Sequence, residues 1–402
     1  DCPESRGLGD VYKRQIALGL EGLRRQDGIH AAAIVISPDT ITKFLPIQQK
    51  GSNAEIVTQY EMHTVEQLGL LKMDFLGLRN LSIVDRTLEL IGSESLDIDN
   101  LKLDDEKTFK LFAEGKMTGV FQLESRVAQS TSRSLKPKRF EDIVALVALI
   151  RPGPLGAGMH NEFADRANNR KEIEYLHNDL ESILNETYGV ILYQEQVMQI
   201  AEKIAGFNLQ EADNLRVAMG KKIPKVMEEQ RKKFTDGAVS NNYSEQFAIE
   251  LFDQIAYFAG YGFNKSHSVP YALLAYQTAY LKANYPAEYI AACLTAVKRD
   301  KDRTAIFLSE ARDMGVKVST PDINLSSSDF TVNDNEILFG LSAVRNVGDI
   351  TADKIVLERE SNGHFESIED FLSRIDSRSL NKRGVEALIQ GCLLYTSDAA
   401  DD

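Results

Sequence analysis

The chain has 402 residues, 43% of them apolar, with three cysteines at unrelated positions and a formal charge of −14. That length and apolar content allow two to four packed units and exclude a disordered chain, and the scattered cysteines give neither a metal-ligand spacing nor a disulfide framework. A uniformly acidic surface repels phosphate, which argues against a generic polyanion binder, and no apolar run is long enough to span a bilayer or read as a secretory signal, so a cytoplasmic protein without a membrane partner is expected.

Both ends lack the periodicity of their neighbours. Asp1 to Gln15 and Cys392 to Asp402 resemble translated sequencing-adapter sequence and read as tails, which makes residues 16–391 an interior fragment of a longer protein. From Ile16 to about residue 80 the pattern is β-rich: Ala31 to Ser37 is a buried-strand run, with shorter candidates at Ile41 to Phe44 and Ile56 to Tyr60. Gly69 to Phe75 is a further strand, and period-two alternation puts Leu71, Met73 and Phe75 on one face and Lys72 with Asp74 on the other. A carboxylate and an ammonium sharing a face are either a metal ligand beside a phosphate-facing lysine or a surface ion pair.

Residues 81–299 read as one mainly helical body. Helices are predicted over Leu81 to Ile91, Leu103 to Phe112 with acidic residues in its first turn, and Phe140 to Ile150. Gly119 to Leu123 and Tyr188 to Tyr193 read as short strands, and Arg151-Pro152-Gly153-Pro154 as a rigid turn presenting one arginine. Further helices cover Gln194 to Ala205, Leu209 to Met219 with an Asn208/Glu211 capping box and a stop at Gly220, Pro224 to about Asn241, Phe247 to Phe258 and Ala287 to Val297. Arg216, Lys221, Lys222, Lys225, Arg231, Lys232 and Lys233 stand against only Glu228 and Glu229, either as a solvated helix face or as the lining of an anionic cleft.

The stretch Phe258 to Tyr280 organises this body. Gly260 and Gly262 allow a tight loop that displays Asn264, Lys265, Ser266 and His267, and Ser268 is the expected N-cap of a helix with Pro270 in its first turn. A helix start beside a lysine and a histidine suits a phosphate, although an ordinary capped turn has the same spacing. Beyond it, Lys298 to Arg303 reads as a charged linker, followed by a strand at Val316 to Ser319, a hairpin of Phe330 to Val332 with Ile337 to Leu341, and helices. Ala343 to Ile355 has the look of a helix-hairpin-helix, in which backbone N–H groups of Val347 and Gly348, with Lys354 on the following helix, would meet a DNA phosphate; Asn346 stands where a glycine is common.

In order along the chain, the motifs at Lys72 to Arg79, Gly119 to Ser125, Arg151 to Leu155, Tyr188 to Met198, Leu215 to Lys222 and Gly260 to Ser268 resemble those of the bacterial DNA polymerase III alpha subunits, C-family replicative polymerases. The resemblance covers about Ile16 to Gly391. It implies an α+β, mainly helical fold: part of a nucleotidyltransferase-type palm at residues 16–80, helical fingers at 81–299 and a helix-hairpin-helix module at 300–391. It further implies that Asp74 is the third palm carboxylate, a ligand of catalytic Mg²⁺, with Lys72 neutralising phosphate charge. Arg216, Lys221, Lys222, Lys265 and His267 would approach the triphosphate, with Arg151 near the nascent pair. Primer–template DNA and deoxynucleoside triphosphates are the implied partners, and the sliding clamp, proofreading exonuclease and clamp loader would engage regions mostly outside the chain. Two positions depart from the family pattern: Val217 replaces a second basic residue, and no Asp-x-Asp pair precedes Asp74, so the chain alone is expected not to polymerise. A non-catalytic nucleic-acid-binding module and a helical scaffold are the alternatives.

Overall fold

The computed structural model describes residues 3–23, 28–49, 51–52, 54–92, 96–221, 224–259, 261–376 and 380–391. They fall into two compact units divided after Leu78.

The first unit opens with the helix Pro3–Leu20, which runs through the boundary drawn at residue 15 and replaces the start of the β-rich region. Strand Ala33–Ile36 pairs antiparallel with Leu71–Asp74, matching Ala33 with Asp74 and Val35 with Lys72. A second antiparallel pair joins Ile47–Gln49 to Ile56–Thr58. The expected strand at Ile41 to Phe44 is instead a single 3₁₀ turn, Ile41–Lys43. Its period-two pattern was too short to distinguish the two, and Ile41 turns inward onto a small core of Leu45, Val65 and Leu70. The helix Met62–Gln67, not expected from the sequence, starts where the Glu61 carboxylate accepts from the N–H groups of His63 and Thr64. Acid at an N-cap position substitutes there for the usual hydroxyl or amide.

In the second unit the apolar run at 143–149 forms the buried centre of the helix Phe140–Leu149, which packs on Lys265–Asn284. Its one buried charge, Asp142, accepts from the N–H of Lys138 at 2.9 Å, from Arg139 Nε at 3.2 Å and from the Tyr188 hydroxyl at 2.9 Å. A second core surrounds Pro286–Val297 with Arg79–Ile91 and Lys301–Asp313, and a third joins Gln194–Ala205, Leu209–Lys221, Pro224–Ser240 and Glu245–Ala259. The Asn208/Glu211 capping box forms in both directions, each bond 2.9 Å. Gly206 ends its helix in the left-handed conformation at φ +67°, whereas Gly220 does not stop the next one, which continues to Lys221.

Several local expectations fail for identifiable reasons. Gly119 to Leu123 is a succession of turns: Val120 and Leu123 N–H donate to carbonyls three residues back, Phe121 N–H donates to Thr278 Oγ1 and Gly119 C=O accepts from the Tyr289 hydroxyl. Tyr188 to Tyr193 makes only one parallel bridge, Tyr193 to Phe263, rather than a strand. Pro152–Gly156 is a short helix with Pro at its start. The N-cap of Lys265–Asn284 is Asn264, whose side chain accepts from His267 N–H at 2.9 Å. Ser268 is therefore inside the helix, buried, donating to Val144 C=O at 2.7 Å, and Pro270 also lies inside it. The charged linker is the start of a helix, Lys301–Asp313, capped by Asp300; Lys298 is folded inward between Asp329 and Asp349.

The C-terminal part has a three-stranded sheet in which Glu336–Leu338 lies between Lys317–Val318 and Thr331–Asn333. Asp334 and Asn335, at φ +47° and +63°, make the two-residue turn that right-twisted hairpins prefer. The helices Asp349–Asn362, Ile368–Arg374 and Lys382–Gln390 then close around Val347, Ile355, Phe365, Phe371 and Leu388.

Candidate functional site

In the first unit Lys72 and Asp74 share a face, as the strand period requires, and they make an ion pair: Lys72 Nζ stands 2.7 Å from Asp74 Oδ1 and 3.0 Å from Oδ2. The hydrogen bond from Lys72 holds the Asp74 carboxyl below the usual carboxylate range, partial burial opposes it, and the Lys72 and His30 charges add to the lowering. His30 Nε2 lies 4.0 Å from Asp74 Oδ2, while its Nδ1 accepts from Ala32 N–H at 3.3 Å. His30 was not expected from the sequence; a lone histidine before a strand carries no spacing signal. No group of three or more His, Cys, Asp or Glu side chains among the described residues is arranged to hold a metal. One carboxylate, here paired with an ammonium, does not by itself make a Mg²⁺ site, which takes near-octahedral oxygen ligation.

In the second unit the loop before Lys265–Asn284 is held from both sides. Phe263 N–H donates to Leu192 C=O and its C=O accepts from Gln194 N–H, clamping it to the start of the helix Gln194–Ala205. Gly153 leaves room for the Tyr261 ring: a Cβ there would stand 2.2 Å from Tyr261 Cδ1. Arg151 donates to Tyr261 C=O at 2.7 Å and to Ala148 C=O at 2.9 Å, and its guanidinium lies 4.2 Å from the Phe263 ring centroid. Burial pushes that guanidinium below its ordinary pKa. Phe263 in turn sits 5.5 Å from the His267 ring, which stacks on Tyr271 at 4.3 Å. Arg151 and His267 thus flank one aromatic ring, and two of the arginine's nitrogens, Nε and Nη2, donate to backbone carbonyls.

Lys265 points to a different set. Its Nζ pairs with Glu186 at 2.6 Å and lies 5.5 Å from the Tyr193 ring centroid. Its backbone N–H donates to the Glu195 carboxylate at 2.9 and 3.0 Å, and Ser266 N–H reaches the same group at 3.4 Å. The helix start expected to suit a phosphate is occupied by a carboxylate of the chain itself, where the macrodipole favours negative charge. Glu195 lies within the Tyr188 to Met198 motif, but nothing in its local spacing indicates a partner 70 residues away.

Arg216 pairs with Asp213 one turn back on its own helix at 2.8 Å. Lys221 closes that helix, and Lys222 and Gly260 lie outside the described residues. In the C-terminal module Val347 is buried, Gly348 is the exposed N-cap of Asp349–Asn362, and Lys354 is exposed on that helix. Asn346 takes φ +66°, so the asparagine adopts the left-handed conformation that a glycine would otherwise supply. Gly384 brings the helix Lys382–Gln390 against this hairpin: a Cβ there would lie 3.3 Å from Asn346 C=O.

Three family models match the chain: the bacterial DNA polymerase III alpha NTPase domain over residues 9–77, the finger domain of the same subunit over 80–242, and a helix-hairpin-helix motif over 315–396. The chain is 46% identical over 382 residues to DNA polymerase III subunit alpha of Thermus aquaticus, covering 94% of the chain and 31% of that relative. It is 45% identical over 399 residues to the Escherichia coli (strain K12) protein of the same name, covering 96% and 34%, and 43% identical over 406 residues, with the same coverage, to that of Mycobacterium tuberculosis (strain CDC 1551 / Oshkosh). The chain spans about a third of the length of the curated relatives it matches. With the models in the same order as the motifs and the identity running almost from end to end, the chain belongs to the family of bacterial DNA polymerase III alpha subunits.

Proposed function

We propose that the chain is the part of a replicative DNA polymerase that carries the third palm carboxylate, Asp74, the fingers and a DNA-binding hairpin module, and that the complete polymerase transfers deoxynucleotides to a primer 3′ end. The observation that carries this reading is the Lys72–Asp74 pair, a charged couple side by side on a strand matched by the alpha-subunit model. In this reading Lys72 places positive charge where a triphosphate would develop negative charge, and Asp74 would be one of the carboxylates that hold a Mg²⁺ ion in the complete polymerase. The described residues do not complete such a metal site, so in this reading the chain alone does not extend a primer.

Within the fingers, Lys265 and His267 leave the same helix start on different sides, and Arg216 and Lys221 are the described basic residues of the Leu215 to Lys222 motif. They act by charge, binding and orienting a triphosphate rather than exchanging protons with it. Gly348 offers its N–H side to a DNA phosphate without reading sequence, and Lys354 adds charge on the same helix.

Primer extension with Asp74→Ala in the complete polymerase tests the reading: extension is lost while primer–template binding, followed by fluorescence anisotropy, is retained. Full extension by that variant removes Asp74 from the site. The isolated chain should bind primer–template DNA with an affinity that falls as salt rises.

A further inference from the structure

A groove of about 1480 Å³ runs between the helix Met159–Ala167, the segment 174–191 and the helix Glu245–Ala259. Its floor is apolar, with Leu180, Leu184, Val190 and Ile191 beneath it. Its wall is one ridge of Glu245–Ala259: Glu245, Ile249, Asp253 and Tyr257 recur at every fourth position and share a face. Ile249 and Tyr257 are exposed there, 39% and 57%, on a helix whose opposite side is core.

The rim is acidic, and its carboxylates divide into two sets. Glu162 is taken by Arg166 and Lys171, Asp165 by Arg170, and Asp253 by Arg231. Glu174, Glu245 and Glu250 are exposed and have no ion pair with any described residue. The rim therefore already receives cations at half its carboxylates, in geometry that side chains of a partner could repeat at the other half. Negative charge excludes DNA and nucleotides from this groove. Its volume exceeds what small ligands usually fill and matches about ten residues of α-helix, taking a cylinder about 11 Å across with a 1.5 Å rise.

We propose that this groove is a docking surface for a basic amphipathic helix of a partner protein, whose apolar stripe lies on the floor against Ile249 and Tyr257 and whose lysines or arginines meet Glu174, Glu245 and Glu250. The mode is helix-in-groove recognition, with apolar anchors giving affinity and rim charge giving orientation and salt dependence. None of these residues belongs to the polymerase reading, so the two stand or fall separately.

The test uses the 402-residue chain and a fluorescein-labelled peptide of about five helical turns, leucine at i, i+3, i+4 and i+7 and lysine elsewhere, followed by anisotropy. The peptide should bind, with affinity falling as salt rises. Glu245→Lys with Glu250→Lys should weaken it about tenfold, and the uncharged Ile249→Ser should weaken it without changing the salt slope. The proposal is overturned if a lysine peptide with serine in place of leucine binds equally well, or if Glu360→Lys with Glu369→Lys on the C-terminal module causes the same loss. It is also overturned if light scattering shows a dimer that Ile249→Asp dissociates, since a second copy would then fill the groove, or if the leucine–lysine peptide does not bind the unaltered chain.

Discussion

The strand pair carrying Asp74 and the helix pair carrying Lys265 are built in opposite ways. The sheet rests on Leu45, Val65 and Leu70, and its outward face, Ile34, Ile36, Leu71, Met73 and Phe75, is exposed. Lys72, with 18% of its side chain exposed, is better covered than the apolar residues on either side of it. The helix Lys265–Asn284, by contrast, buries Ala272, Ala275, Tyr276 and Ala279 against Phe140–Leu149 and its neighbours. Where packing is thin, a charged residue is positioned by its ion pair. Where packing is dense, the core also fixes the backbone from which the charged residue reaches its ion pair, as Lys265 reaches Glu186.

Core truncation should separate the two regions most widely. Phe252→Ala empties a fully buried site in the third core and should cost about 3–5 kcal/mol in urea unfolding, while Leu70→Ala, in a core that can collapse, should cost about 2 kcal/mol and raise amide exchange only in the first unit. Lys282→Met comes next. Lys282 is 1% exposed, pairs with Glu310 at 2.7 Å and donates to the carbonyls of Lys116 and Thr118. Removing it strands a carboxylate and two carbonyls, an expected loss of about 3 kcal/mol in thermal unfolding, most of it recovered when Glu310→Leu is added.

Asn346 sharpens the comparison at a hairpin rather than a core. Asn346→Gly should leave stability within a few tenths of a kcal/mol, whereas Asn346→Val, forced to φ +66°, should cost about 1–2 kcal/mol by the same denaturant measurement. A smaller loss than that of Asn346→Val belongs to Asp349. Its hydrogen bond from Lys298 lowers its pKa from the ordinary 3.8, against some desolvation, so the folded form holds its proton less tightly than the unfolded one. The stabilisation is complete above the unfolded value and is lost as pH falls through the lower folded value. Asp349→Asn should therefore cost about 1 kcal/mol at neutral pH and nothing in strong acid, read from stability against pH.

Long amphipathic helices were legible in the sequence because their signal is repeated over several turns: Gln194–Ala205 and its Gly206 cap came out residue for residue. The failures fell on short segments. Ile41–Lys43, Gly119 to Leu123 and Tyr188 to Tyr193 have too few residues for a period to declare itself; Phe121 N–H and Gly119 C=O are met by side chains 157 and 170 residues away, and Val190 C=O and Leu192 N–H by the nearby Thr187 and Gln196. At the candidate site the residue types were legible and their partners were not. Lys72 and Asp74 are two residues apart, so strand geometry alone joined them. Arg151 to Tyr261, Lys265 to Glu186 and Lys265 to Glu195 span 110, 79 and 70 residues, and no local rule reaches across such distances.

The carboxylate of Glu195 at the start of Lys265–Asn284 changes what binding at that place would mean. A phosphate arriving there does not fill a vacancy; it exchanges with a tethered anion that never leaves the neighbourhood. Free Lys265 and Ser266 N–H groups are bought at the cost of releasing Glu195, so affinity at this point is a difference between two anions. Such an exchange is reversible by construction: when the phosphate departs, the displaced carboxylate is already within reach of the N–H groups it left.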